Sequence, residues 1–321
     1  MRLTPLLSLS GSVHAAGRRI HGRDGIGTRK TLVAAAFTVL AVLGLSLGIA
    51  SAITYVTSWG DAPGPGQLAG PYGVAADSNG RVYVADTHHN QIKKYTSDGQ
   101  FLLSWGSHRP GQLSHPAGVA VADGHVYVAD TRNNRIEKFT SGGKLVQRWP
   151  HPRPHHDPFN HPSGVAVNSQ GRVYVADSGN DRIVKLTGGG RLLRSWKNHG
   201  PHGIAVDAHG HVYVADSAKG QIVEFTSGGK RLRSWGRHGS PPSQLASPFG
   251  VAVKGDRVYV ADRLNDQVKK FTSHGRFLHS WGGRGAGPGH FIAPHGVAVD
   301  ADGNVYVADT GNSRIQKFSQ P

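Results

Sequence analysis

The chain has 321 residues, enough for about two domains. Gly supplies 45 of them and Cys none. The glycine argues against a long helical protein, since each costs about 1 kcal/mol inside a helix, and the missing thiols exclude disulfides, cysteine zinc sites, iron–sulfur clusters and a cysteine nucleophile. Lys and Arg outnumber Asp and Glu by 36 to 20, a formal charge of +16 with 20 His still able to titrate, so the surface attracts polyanions such as nucleic acid, anionic lipid or acidic cell-wall polymer.

The first expected element is a membrane segment. Residues 1–30 carry Arg2, Arg18, Arg19, Arg23, Arg29 and Lys30 against Asp24. Residues 32–53 then run without a charge, long enough as a helix to span a hydrocarbon core of about 30 Å. Basic residues directly before such a run predict a cytoplasmic N-terminus and an extracytoplasmic remainder. The expected division is therefore a basic cytoplasmic segment at 1–30, a transmembrane signal anchor at 31–53 and a folded domain at 54–321. Ala50-Ser51-Ala52 also fits the small-residue pattern of signal cleavage, and a cleaved signal peptide would make the domain secreted.

The rest of the chain repeats itself. Val-Tyr-Val-Ala-Asp occurs six times, starting at Val82, Val126, Val173, Val212, Val258 and Val305. Ahead of each stands Pro-x-Gly-(Val/Ile)-Ala, at Pro71, Pro116, Pro162, Pro201, Pro248 and Pro294. An Ile or Val follows each repeated Asp, and a Trp closes the first five units at Trp105, Trp149, Trp196, Trp235 and Trp281. Each unit reads as four short strands, a to d: Gly-Val-Ala-Val, Val-Tyr-Val-Ala, a stretch such as Arg314-Ile315-Gln316-Lys317-Phe318, and a basic strand ending at Trp. Alternating β-branched and aromatic residues between Gly turns carry that reading. A four-stranded unit cannot bury both faces alone, whereas radial stacking does so, which predicts an all-β, six-bladed β-propeller.

The ends predict how the ring closes. The sixth unit stops after strand c, and Tyr55-Val56-Thr57-Ser58-Trp59-Gly60 matches a strand d with no unit of its own. That orphan is expected to complete blade six, which hides two sheet edges.

These units resemble NHL repeats over residues 55–321, on Pro-x-Gly-Val-Ala-Val-Asp, Val-Tyr-Val-Ala-Asp and Asn-x-Arg-Ile recurring in register. Unit six is the fullest copy, with Asp300, Asn312 and Arg314 in place. Unit four has Lys219-Gly220-Gln221 instead of Asn-x-Arg, and units one and five carry Gln91 and Gln267 at the Arg position. An anchor followed by six such repeats is similar to the exported sensor domain of certain bacterial receptor kinases, although the 30 residues ahead of the span are too few for a kinase.

Six identical copies signal scaffold, so the repeated Asp is read as capping loop N–H groups in the manner of an Asx-turn. Chemistry is expected where the copies differ. The d–a and b–c connections share one face and vary most, which places a site there. The residue between Pro and Gly starts the innermost strand and reads Tyr72, Ala117, Ser163, His202, Phe249 and His295. Tyr72, His202, Phe249 and His295 are the expected ligand-binding residues. His202 and His295 on alternating blades, with His115 near the third position, raise a zinc-type three-histidine site. Peptidyl-hydroxyglycine amidating lyases resemble this pattern and imply metal-dependent lyase chemistry, but no matching Tyr/Arg pair is present. Apart from that divalent metal no cofactor is expected, and no catalytic residue is assigned. A loop at 150–161, with four His and four Pro, is a further candidate wall. Lys144, Arg148, Arg191, Arg194, Lys230, Arg231, Arg233 and Arg276 on strands d read as a charged rim that resists edge aggregation.

The expected function is that of a membrane-anchored extracytoplasmic binding or scaffold module, a monomer whose channel mouth takes a protein, a peptide or an anionic envelope polymer. RNA binding on a basic face, known for some NHL propellers, is the further alternative. The predicted topology sets nucleic acid aside as a partner.

Overall fold

The computed structural model describes residues 53–106, 112–149 and 158–320. The expected basic segment, residues 31–52 of the expected span and residues 150–157 of the His-rich loop lie outside them. Among the described residues no helix is long and apolar enough to cross a membrane.

Six antiparallel four-stranded sheets make up the domain. In chain order, β1 (Thr54–Trp59) comes first. Blade one is β2 (Pro71–Ala76), β3 (Val82–Asp86), β4 (Gln91–Tyr95) and β5 (Phe101–Trp105). Blade two is β6 (Pro116–Ala122), β7 (His125–Asp130), β8 (Arg135–Thr140) and β9 (Leu145–Trp149). Blade three is β10 (Pro162–Val167), β11 (Val173–Asp177), β12 (Arg182–Leu186) and β13 (Leu192–Lys197). Blade four is β14 (Pro201–Val206), β15 (Val212–Asp216), β16 (Gln221–Phe225) and β17 (Arg231–Trp235). Blade five is β18 (Pro248–Lys254), β19 (Arg257–Asp262), β20 (Gln267–Thr272) and β21 (Phe277–Gly282). Blade six has β22 (Val297–Val299), β23 (Val305–Asp309) and β24 (Arg314–Ser319) from the end of the chain, and β1 as its outermost strand.

The closing strand sits in the same register as every other strand d. Ile92, Ile136, Ile183, Ile222 and Val268 on strands c pair with Trp105, Trp149, Trp196, Trp235 and Trp281, and Ile315 pairs with Trp59. The six-bladed ring and its borrowed strand are as the sequence predicts.

Burial follows from radial stacking. Each Val-Tyr-Val-Ala-Asp strand is buried at every residue, because a neighbouring blade covers each of its faces. The core accordingly lies in layers between blades. Trp59 packs on Tyr306 of its own blade and on Tyr95 of the next, at ring distances of 6.2 and 6.0 Å. Trp105, Trp196 and Trp235 meet Phe139, Phe225 and Phe271 in the same way. Outer strands β9, β13 and β17 are mostly exposed, so their basic side chains face water as expected.

The repeated aspartates are buried scaffold, but their main partner is not the local turn. Asp130 Oδ1 accepts from the Ser114 N–H at 2.6 Å, and Asp177 Oδ1 from the Asn160 N–H at 2.7 Å. The donors lie on the incoming d–a loop rather than the b–c loop, so the Asx-turn expectation is corrected: the carboxylate ties two connections together on one face. Among the described residues, Asp216 alone of the six accepts from a backbone N–H of its own b–c loop, that of Lys219 at 3.0 Å. The Asn-x-Arg motif serves the other oxygen. Asn180 Nδ2 and Arg182 Nε donate to Asp177 Oδ2 at 2.9 and 2.6 Å. Asp216 has Gln221 Nε2 there instead, at 3.2 Å. Removing one member of a buried ion pair costs about 3–5 kcal/mol, whereas leaving neutral donors without their acceptor costs about 1–3 kcal/mol. Urea unfolding should therefore show Asp177→Ala to be clearly more destabilising than Asp216→Ala.

Candidate functional site

The d–a to b–c bonds just described fix which face strand a starts from. Its second residue stands at the channel mouth on that face. Tyr72, Ala117, Ser163, His202, Phe249 and His295 line one cavity of about 90 Å³, and no Asp or Glu lines it.

The four expected ligand residues come together as an arc over blades four, five, six and one. His202 stacks on Phe249, with ring centres 4.1 Å apart and planes at 22°. Tyr72 stacks on His295 at 4.1 Å and 15°. Phe249 meets His295 edge to face at 4.6 Å and 72°, which joins the two pairs. Ala117 and Ser163 leave the opposite side of the mouth small. The result is one aromatic wall and one open wall.

Both arc histidines are neutral at pH 7. Burial, with a smaller push from the Arg263 guanidinium, lowers the pKa of each to about 4. His295 Nδ1 lies 2.9 Å from the Ala293 carbonyl and 2.9 Å from Thr310 Oγ1. A carbonyl only accepts, so Nδ1 carries the proton and Nε2 is left as the acceptor. His202 Nδ1 is buried with no hydrogen-bond partner.

The three-histidine expectation finds no matching geometry. Among the described residues no three His, Asp or Glu side chains gather as a metal site. His202 and His295 are taken up by stacking, and His115 does not line the cavity. The nearest ring contact of His115 is His88 at 6.3 Å, and burial, Arg132 and His88 lower its pKa. Residues 158–161 of the His-rich loop are described. There Asn160 and His161 serve blade junctions through their backbone N–H groups, which donate to Asp177 and Asn134.

Sequence reading missed Arg263. Its guanidinium carbon sits 5.6 Å above the Phe249 ring. A signal was present: the residue after the repeated Asp is Thr87, Thr131, Ser178, Ser217, Arg263 and Thr310, a hydroxyl in every copy but one.

Comparison with known proteins adds a family. The model described as the virginiamycin B lyase family matches residues 57–280, and the NHL repeat model matches residues 291–318. Among solved structures, one described as a streptogramin B lyase is 18% identical, with a TM-score of 0.61 over 84% of this chain and 98% of that one. A catalytically inactive variant of virginiamycin B lyase from Staphylococcus aureus with quinupristin is 17% identical, with a TM-score of 0.57 over 78% of this chain and 80% of that one. A protein of unknown function from Bacteroides thetaiotaomicron is 15% identical, with a TM-score of 0.63 over 79% and 70%. At these identities the structures share the fold. No curated protein matches the chain.

Proposed function

We propose, from the premise that the chain belongs to the virginiamycin B lyase family, that this propeller is a ligand-binding module whose recognition surface is the channel mouth. One observation carries the reading. The six inner strands share their Pro and Gly and differ at the residue between, and those differing residues build a joined aromatic arc. Stacked and edge-to-face rings give large contact area with little rotamer entropy to lose. The cavity is far below the roughly 300–1,000 Å³ of a site that encloses a whole small molecule. A ligand thus seats one end in the mouth and leaves its body on the face, as a peptide, a protein loop or an anionic envelope polymer can.

The basic segment at 1–30 and the uncharged run at 32–53 support a propeller held outside the cytoplasm by an N-terminal anchor, or secreted if cleavage follows Ala52. N-terminal sequencing of the mature protein separates the two.

Family membership favours a second reading, lyase chemistry at the same mouth. Histidine bases work best with a pKa near the working pH, and His202 and His295 at about 4 are weak bases at pH 7. That supports binding over proton abstraction. The expected result is that quinupristin incubated with the full chain keeps its chromatographic retention and its fragmentation pattern, while envelope ligands captured by the protein are lost in a His202→Ala/Phe249→Ala double variant. A linear isomer of quinupristin, of the same mass but with a changed retention and fragmentation pattern, reverses the order of the two readings, and unchanged capture by the double variant removes the site.

A further inference from the structure

We propose that the Arg263 guanidinium forms a carboxylate seat beside the channel mouth, filled by an organic acid whose apolar body lies on the aromatic arc. This deepens the binding reading above and rests on it.

The first observation is what the Arg position gives up. Thr87 Oγ1, Thr131 Oγ1, Ser178 Oγ and Thr310 Oγ1 donate to the Pro116, Pro162, Pro201 and Pro71 carbonyls of the next blade, at 2.8, 2.8, 2.5 and 2.6 Å. Each hydroxyl ties one blade to its neighbour. Arg263 replaces that tie with a cation laid over Phe249.

The second observation is that this cation lacks a counter-charge. Among the described residues no carboxylate lies within ion-pair distance of Arg263, and its Nε is buried without a partner. The cationic partners of the repeated aspartates behave otherwise: Arg182, Arg314 and Lys269 each meet a carboxylate, at 2.6, 2.8 and 3.1 Å. A buried donor left unsatisfied costs about 1–3 kcal/mol, and a carboxylate satisfies a guanidinium with two parallel bonds.

The third observation is what stands beside the cation. The Phe249 ring under the guanidinium is joined to His202 and His295 in the aromatic arc, and no acidic side chain lines the cavity to repel an anion. Arg263 is itself not among the residues that line the cavity, so the carboxylate sits on the guanidinium outside it while the apolar body reaches the arc. That end group is shared by a free organic acid and by a peptide C-terminus.

Calorimetric titration of the full chain separates these sources with two matched pairs: phenylacetate against phenylacetamide, and N-acetyl-glycyl-phenylalanine against its C-terminal amide. In at least one pair the acid should bind about tenfold more tightly than its amide, in line with a charge-assisted bidentate bond. Preference in the first pair alone marks a free acid, and preference in the second marks a peptide terminus. Arg263→Gln should abolish the preference with an unchanged melting temperature, and Arg263→Lys should keep part of it. Equal binding of acid and amide in both pairs, no binding of any probe, or a preference that survives Arg263→Gln overturns the proposal. If the amides bind equally well and lose binding in Phe249→Ala, the mouth stands as a site and only the carboxylate seat fails.

Discussion

Removing residues 55–60 is expected to lower the melting temperature of the full chain by about 10 °C or more, at about 2–4 °C per kcal/mol for a domain of this size. The deletion takes away the whole outer strand of blade six. Ile315 loses Trp59, Phe318 loses Tyr55, and the edge of β24 is left without its partner. Trp59 is only 8% exposed, between Tyr306 of its own blade and Tyr95 of blade one. Truncating such a side chain costs about 3–5 kcal/mol by itself, against a typical total stability of about 5–15 kcal/mol. Trp59→Ala alone should therefore reproduce much of the loss. A synthetic peptide of residues 54–60, added in trans, should restore part of the melting temperature by filling the vacant edge. A truncated chain that melts with the parent means that the ring does not close through this strand.

Gly164→Ala is expected to destabilise the domain by about 3 kcal/mol or more, at the upper end of overpacking effects. The inner strands approach so closely that a Cβ at Gly164 would lie 2.2 Å from the His202 carbonyl oxygen. The contact is backbone, so no rotamer relieves it. The same glycine recurs around the ring, and each faces the next blade's carbonyl: Gly73 meets Ala117 at 2.3 Å, Gly250 meets His295 at 2.4 Å and Gly296 meets Tyr72 at 2.3 Å. Gly142 provides the control. The nearest atom to its Cβ would be Thr140 Oγ1 at 3.8 Å, so Gly142→Ala should be near neutral. Chemical denaturation of the two variants side by side tests the point, and equal midpoints would mean that the inner strands are not in contact.

Blade four shows how a copy can depart from the pattern and keep the fold. Elsewhere a side chain at the end of the b–c loop holds the residue before the next Pro: Asn90 Oδ1 accepts from the His115 N–H at 2.7 Å, and Asp266 Oδ1 from the Ala293 N–H at 2.7 Å. Gly220 takes the same left-handed conformation, with a φ of 63°, but has no side chain to offer. Blade five compensates within itself, since Asp262 Oδ1 accepts from both Ala246 and Ser247 N–H groups, at 2.9 and 3.1 Å. The Lys219-Gly220-Gln221 departure seen in the sequence thus weakens one junction without opening it.

The sequence by itself determined the blades, their number and their closure. Strand identity is a local property of alternating Val and Tyr between glycine turns, and the repeat states how often it recurs. Trp59 without a unit of its own was enough to locate the closing strand. The varying inner-strand position was legible for the same reason, as the place where otherwise equal copies disagree. Only the tertiary structure decided what those residues do together. The pairing of His202 with Phe249 and of Tyr72 with His295 depends on distances between neighbouring blades, which no repeat spacing encodes. It separated His115 from the channel, moved the partner of each repeated Asp onto the incoming loop, and brought Arg263 over Phe249. Contacts within a blade follow from residues adjacent in the chain, while contacts across the ring follow from how closely glycine lets one blade approach the next.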